Sequence, residues 1–305
     1  MRAPTTNYID DSTFHADVQY LESLWHRIPV GSVDLPVIDI GAGEPLVFVP
    51  ILEHLEFVYA RQVRFFSQSR RVILYRRRED RRRFVSLAER AEELLTVLDA
   101  LGLQKVDLVG HGDAAMVLFE FALRHPQRCR SLTIIAQAAD YEISPHPFIW
   151  LLHELFLRLP VEHVLPAWFL RRIVVNYIMS SKESDARPAN FPAQLPRYLI
   201  EEQFQKIALW PAVYKFSVLP IIHSFDIRSR LDRLTMPILL INRADDRLSP
   251  ETKTRWLAAN IPNCTGYYVL PGKERFFMYA QADAVNSIME KFLARQHQPL
   301  LQPDT

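Results

Sequence analysis

Residues 106–115 read Val106-Asp107-Leu108-Val109-Gly110-His111-Gly112-Asp113-Ala114-Ala115. A short apolar run climbs into a Gly-His-Gly turn, and a helix-forming stretch, Met116–His125, follows at once. A brief apolar run bounded by turn residues reads as a buried strand. Strand, tight turn and helix in succession decide the fold.

The same signal recurs on either side. Leu35–Ile40, Leu46–Val49, Val72–Tyr75, Leu132–Ile135, Ile238–Ile241 and Tyr267–Leu270 are short apolar runs with turn residues between them. Helical patterns fill the gaps. The clearest is Leu87–Leu101, where Leu87, Ala91, Leu94, Leu95, Leu98 and Leu101 fall at three- and four-residue spacings. Short apolar strands alternating with amphipathic helices specify an α/β fold, a mostly parallel sheet with helices on both faces.

The alternation stops after Ala139 and resumes near Leu231. The residues between are rich in proline and aromatics, including Phe148, Trp150, Phe156, Trp168, Phe169, Trp210 and Phe216. Helices are expected over Phe148–Leu159, Pro166–Met179 and Leu199–Val213, and a loop over Ser180–Pro196. The chain therefore divides into an N-terminal extension (1–24), a core (25–139 and 229–296), a helical insertion after the sixth strand (140–228) and a tail (297–305).

Lys+Arg number 36 against Asp+Glu 35, which gives no global electrostatic case for nucleic acid. Cys129 and Cys264 are the only two cysteines and lie far apart, so reduced thiols are expected. The opening Met1–Asp11 has no apolar leader and no run of 18 apolar residues occurs, so a cytoplasmic protein without a membrane span is expected. His146, His153, His163 and His223 lack acidic or cysteine partners at ligand spacing, so neither metal nor cofactor is expected.

Two stretches, Leu87–Pro126 and Arg230–Ile241, resemble the α/β-hydrolase fold family. The likeness is to its capped branch of esterases, lactonases, carbon–carbon bond hydrolases and dehalogenases, and spans roughly residues 25–140 and 229–295. It implies a hydrolase-like core with a helical cap.

The resemblance also implies where an active site would stand. The family's nucleophile sits in a small-x-nucleophile-x-small turn. Gly110-His111-Gly112-Asp113-Ala114 fills that frame, so the nucleophile position falls on Gly112, which has no side chain. The acid position falls on Asp246 in Asp245-Asp246-Arg247-Leu248-Ser249-Pro250; its plainer reading is a cap for the next helix. Counting back from Asp283-Ala284-Val285-Asn286 puts the histidine position at Arg275, and no histidine occurs between His223 and His297. An arginine stays protonated and is no general base near neutrality.

The rim departs as well. Pro50-Ile51-Leu52-Glu53-His54 replaces the family's His-Gly, with Glu53 set near the place of an oxyanion. Arg76–Arg83 replaces a glycine-bearing loop, and only 8 glycines occur in 305 residues, against a usual share of about 7%. These departures imply a fold kept while its serine-hydrolase chemistry has gone.

Two readings of function follow. In the first, the protein binds a small apolar or acidic ligand, or a protein partner, at the cap. Arg76–Arg78, Arg81–Arg83, Arg243, Arg247, Arg275 and Glu53 would line the rim, Trp150 and Trp168 would form an apolar wall, and the cap helices would leave room for a homodimer. The bland counterpart is a solvated rim in which those arginines pair with Glu79, Asp80, Asp245, Asp246 and Glu274. In the second reading, a hydrolase, lyase or cyclase works through a non-standard site using Asp113, Asp246 or His111.

Overall fold

The computed structural model describes residues 8–80, 82–141, 147–178, 193–208, 210–272 and 275–296. Helix α1 (Asp11–Ser23) opens the chain, with Asp10 accepting from the Thr13 amide as its cap. It buries Phe14, Asp17 and Leu21, and Phe14 meets Phe57 and Tyr279 edge-on. The expected N-terminal extension is thus packed onto the core. A hairpin follows, β1 (His26–Val30) and β2 (Val33–Ile40). The sequence reading missed β1, an edge strand whose side chains are mostly exposed.

The alternation then runs as expected. β3 (Pro45–Phe48), α2 (Ala60–Phe66), β4 (Arg71–Tyr75) and α3 (Leu87–Ala100) come in turn. Ser86 and Glu89 close a reciprocal capping box that sets the start of α3. β5 (Val106–His111), α4 (Asp113–Arg124) and β6 (Cys129–Ile135) complete the first half. β5 is buried at every position and lies between β3 and β6. Continuous burial explains its near-continuous apolar sequence, the pattern of a parallel strand covered on both faces.

Between β6 and β7 the described residues are helical: α5 (Pro147–Arg158), α6 (Val161–Val164), α7 (Ala167–Ile178), α8 (Arg197–Lys206), α9 (Trp210–Val213) and α10 (Leu219–Ser224). The run expected as one helix over Leu199–Val213 is broken after Lys206. Pro211 explains the restart, since proline suits the first turn of a helix but not its interior. A π-helical turn, Tyr214–Val218, joins α9 to α10. The chain leaves and rejoins the core at adjacent points, where Asp140 and Asp226 form an antiparallel bridge. Most of the expected loop over Ser180–Pro196, and the whole tail, lie outside the described residues.

The second half supplies β7 (Ile238–Arg243), α11 (Glu251–Asn260), β8 (Cys264–Leu270), α12 (Phe277–Ala280) and α13 (Ala282–Gln296). The described strands form one sheet in the order β1-β2-β4-β3-β5-β6-β7-β8. β2 runs antiparallel to β1 and β4, and all other pairings are parallel. The carboxyl ends of β3, β5, β6 and β7 therefore share one rim, where open α/β sheets build their sites.

Candidate functional site

The turn from β5 into α4 forms the floor. A Cβ at Gly110 would lie 2.8 Å from the Ala115 amide nitrogen, so only glycine lets the helix turn back this closely. Gly112 holds φ 59° and ψ −121°, a left-handed turn that a side chain adopts only under strain. Its amide donates to the Ile135 carbonyl at 2.9 Å, which ties the turn to the end of β6. The buried Tyr59 hydroxyl accepts from the His111 amide at 3.1 Å and donates to the Val49 carbonyl at 2.9 Å. It thereby fixes the ends of β5 and β3 against each other.

His111 lies beneath this floor. Its Nε2 lies 3.1 Å from the Arg275 carbonyl, a geometry that requires Nε2 to carry the proton. Burial, then the Arg275 guanidinium, lowers its pKa to about 3. The ring is neutral and weakly basic near neutrality, and its Nε2 is engaged. That arrangement gives it a packing role and suits a general base poorly.

Asp246 and Arg275 meet on the other side. Asp246 Oδ1 accepts from the amides of Leu248 and Ser249, each at 2.9 Å. Its Oδ2 accepts from Arg243 Nε at 3.0 Å and Arg275 Nη1 at 3.1 Å. Burial alone would raise its pKa, but the two guanidiniums outweigh burial and hold it below the ordinary carboxylate value. Asp246 is thus an anchor for two arginines and a local turn. It does not cap α11, which begins after Pro250.

Arg275 is only 8% exposed. Its Nη2 would lie 2.9 Å from a Cβ placed on Gly112. The guanidinium therefore fills the space beside the turn that a side chain at 112 would need, and Nη2 has no hydrogen-bond partner among the described residues.

Asp113 enters from the first turn of α4. Its Oδ2 accepts from Arg77 Nη1 at 2.8 Å, and Arg77 Nε donates to Glu79 Oε1 at 2.6 Å. Arg90 Nη2 reaches the other Glu79 oxygen at 3.1 Å. Arg77 is buried, and the partly exposed Asp113 ends a chain of alternating charges that runs through it.

A cavity of about 90 Å³ opens above Gly112. Ile51, Leu52, Met116, Val218, Ile222 and Phe276 give it apolar walls, with His111, Asp113 and Arg275 at its polar side. The roof comes from the π-helical turn and α10.

Of the expected rim residues whose side chains are described, Arg275 alone lines this cavity. Arg243 is buried against Asp246, and Arg247 is exposed. Glu53 does not line it, and has a carboxylate oxygen 3.9 Å from both His54 Nε2 and Arg76 Nη1. Trp168 is 63% exposed and borders a separate groove with Arg171, Arg172 and Arg197. The Trp150 and Glu274 side chains lie outside the described residues. Arg76 pairs with Glu22 and Glu56, so the rim arginines are largely answered by carboxylates. Sequence reasoning missed Tyr59, the pairing of Arg77 with Asp113 and the Arg275–Gly112 contact. Tyr59 lies in a connection with no motif, and the aim of the arginines is set only by packing.

Among the described residues no three His, Cys, Asp or Glu side chains converge as metal ligands. No described helix is long and apolar enough to cross a membrane.

The sequence model of the α/β hydrolase fold family matches residues 42–281. This chain belongs to the α/β hydrolase fold family. Curated relatives within it include a protein of Stutzerimonas stutzeri strain A1501 named "Putative carbamate hydrolase RutD". It is 28% identical over 179 residues, covering 58% of this chain and 62% of that relative, under two thirds of its length. A protein of the same name from Caulobacter vibrioides strain NA1000 is 26% identical over 209 residues, 68% of this chain and 72% of its own. Among solved α/β hydrolases, a thermophilic esterase from Thermogutta terrifontis with malate bound superposes with a TM-score of 0.69. It covers 90% of this chain and 99% of its own, at 20% identity, which speaks for the fold alone.

Proposed function

We propose that this chain is an α/β hydrolase fold protein without serine-hydrolase activity, which binds a small apolar or acidic molecule in the cavity under the helical insertion. One observation carries the reading. Arg275, anchored on Asp246, occupies the space beside a turn residue, Gly112, that has no side chain. A nucleophile and a base must lie within hydrogen-bond reach of each other for acyl transfer. Glycine and a paired arginine supply neither.

The relatives' name favours a second reading, a hydrolase acting on a carbamate through Asp113, Asp246 or His111. Against it, Asp113 is engaged by Arg77, Asp246 by two arginines, and His111 by a backbone carbonyl.

The cap's outer face supports a protein partner, or a second copy, as a further occupant of this fold. Val164, Trp168 and Ile173 are each at least half exposed there. Hydrolysis of p-nitrophenyl acetate and butyrate, and of a simple carbamate, tests the main reading. Turnover no faster than buffer is expected. Turnover well above buffer that Asp246→Asn and His111→Ala abolish would sink the reading in favour of the second.

A further inference from the structure

We infer that the cavity above Gly112 is a carboxylate site, in which Arg275 Nη2 clamps the head of a short apolar monocarboxylate. This rests on the ligand-binding reading above and names its chemistry.

The first ground is an unmet donor. Arg275 is more than nine-tenths buried and lines the cavity. Asp246 takes Nη1 at 3.1 Å, while Nη2 faces the cavity floor at Gly112 without a hydrogen-bond partner among the described residues. Buried donors are normally paired, and a guanidinium has a second edge that suits a carboxylate.

The second ground is the electrostatic setting of the floor. α4 is 12 residues long and begins at the cavity, with no side chain capping its amino end. Its dipole favours an anion there. Asp113 is the opposing charge on the lining, and Arg77 Nη1 answers it at 2.8 Å. His111 is neutral and adds no charge.

The third ground is size and lining. A volume of about 90 Å³ seats about four non-hydrogen atoms, by comparison with the ~150 Å³ that holds the six of benzene, which is a carboxyl head and the first carbons of its chain. Leu52, Met116, Val218, Ile222 and Phe276 offer only apolar contacts to the rest of the molecule. Butanoate and hexanoate present such a head, with the rest of the chain running along the apolar lining toward the opening. Neither would be turned over, because no nucleophile faces the carboxyl carbon from residue 112.

The test is calorimetric titration of the full chain at pH 7 with butanoate and hexanoate, set against butanamide and hexanamide. The acids are expected to bind about 10- to 100-fold more tightly than the amides, the worth of a charge-assisted hydrogen bond. Arg275→Gln should remove that preference, Arg275→Lys should keep part of it, and Ile222→Trp should abolish binding by filling the cavity. Equal binding of acid and amide by the unmodified protein would overturn the carboxylate inference while leaving a ligand site. A preference that survives Arg275→Gln would overturn it equally. Failure of every compound to bind would overturn the inference and the ligand-binding reading together. The acid–amide comparison needs no variant, so it decides even if Arg275→Gln misfolds.

Discussion

Arg275 Nη2 stands 2.9 Å from where a Cβ on Gly112 would lie, so the missing side chain and the arginine are two halves of one arrangement. A serine placed at 112 alone pushes against a guanidinium held by Asp246. Gly112→Ser should cost about 1–3 kcal/mol, from overpacking and from a left-handed turn. The turn strain is the same whatever residue stands at 275, so it cancels in a double-mutant cycle. The packing conflict does not. In an Arg275→His background the serine should cost at least ~0.5 kcal/mol less. Urea unfolding of the four proteins checks this, and strictly additive costs would refute the contact.

Asp246 carries more than its own turn. Asp246→Asn leaves the buried guanidiniums of Arg243 and Arg275 without the carboxylate between them. Removing one partner from a buried ionic group costs about 3–5 kcal/mol. The pH dependence has a definite sign. The native pKa of Asp246 is depressed, so its stabilisation is present above the ordinary carboxylate value and is lost as pH falls through the native one. The unmodified protein should therefore lose its margin over Asp246→Asn on acidification. A margin that held constant down to pH 2 would show that the guanidiniums do not depend on the charge.

The sheet was legible in the sequence because its inner strands are buried on both faces and so read as unbroken apolar runs. Val106–Val109 and Ile238–Ile241 each sit inside a strand where every residue is buried. His26–Val30 gave no such signal, since at the sheet's edge most of its side chains are left uncovered on the faces to which they point. The site was half legible. Gly112 and Asp246 are both singled out by the sequence, and the structure sets both beside Arg275. The aim of a long side chain is another matter. Arg275, Arg247 and Glu53 look equivalent in sequence, yet only Arg275 is drawn into the cavity, by a carboxylate 29 positions away. Long-range packing decides such directions, and no local pattern encodes it.

His111 and Glu56 bias the pH dependence of stability in opposite senses. His111 moves from an ordinary 6.5 to about 3, chiefly through burial. The unfolded chain then binds the extra proton between those values, so this group raises stability as pH rises through that window. Glu56 moves from 4.5 to about 7, again through burial, with Arg76 opposing. Here the native state holds the extra proton, and stability falls as pH rises from 4.5 to 7. The two slopes, each about 1.4 kcal/mol per pH unit, offset one another between 4.5 and 6.5. Glu56→Gln should unmask the His111 slope, giving stability that climbs with pH in that interval. Urea midpoints at half-unit pH steps test it, and a profile unchanged by the substitution would count against the raised pKa of Glu56.

Arg77 is the least obvious structural arginine and the most exacting to replace. Among the described residues it alone joins Asp113, on the cavity, to Glu79, and its side chain is 2% exposed. Arg77→Met keeps much of the volume but leaves Asp113 without its ionic partner, whereas Glu79 retains Arg90. The expected loss is about 3–5 kcal/mol, by the same uncompensated-charge argument. Arg83→Met makes the control, since Arg83 is 62% exposed and its pairing with Glu89 should be worth about 0–1 kcal/mol. If the orphaned carboxylate is the cause, Asp113→Asn added to Arg77→Met should recover stability, although it costs stability when made alone. A double variant weaker than Arg77→Met would instead mean that Arg77 acts by packing, and that the charge on Asp113 is met from elsewhere in the cavity.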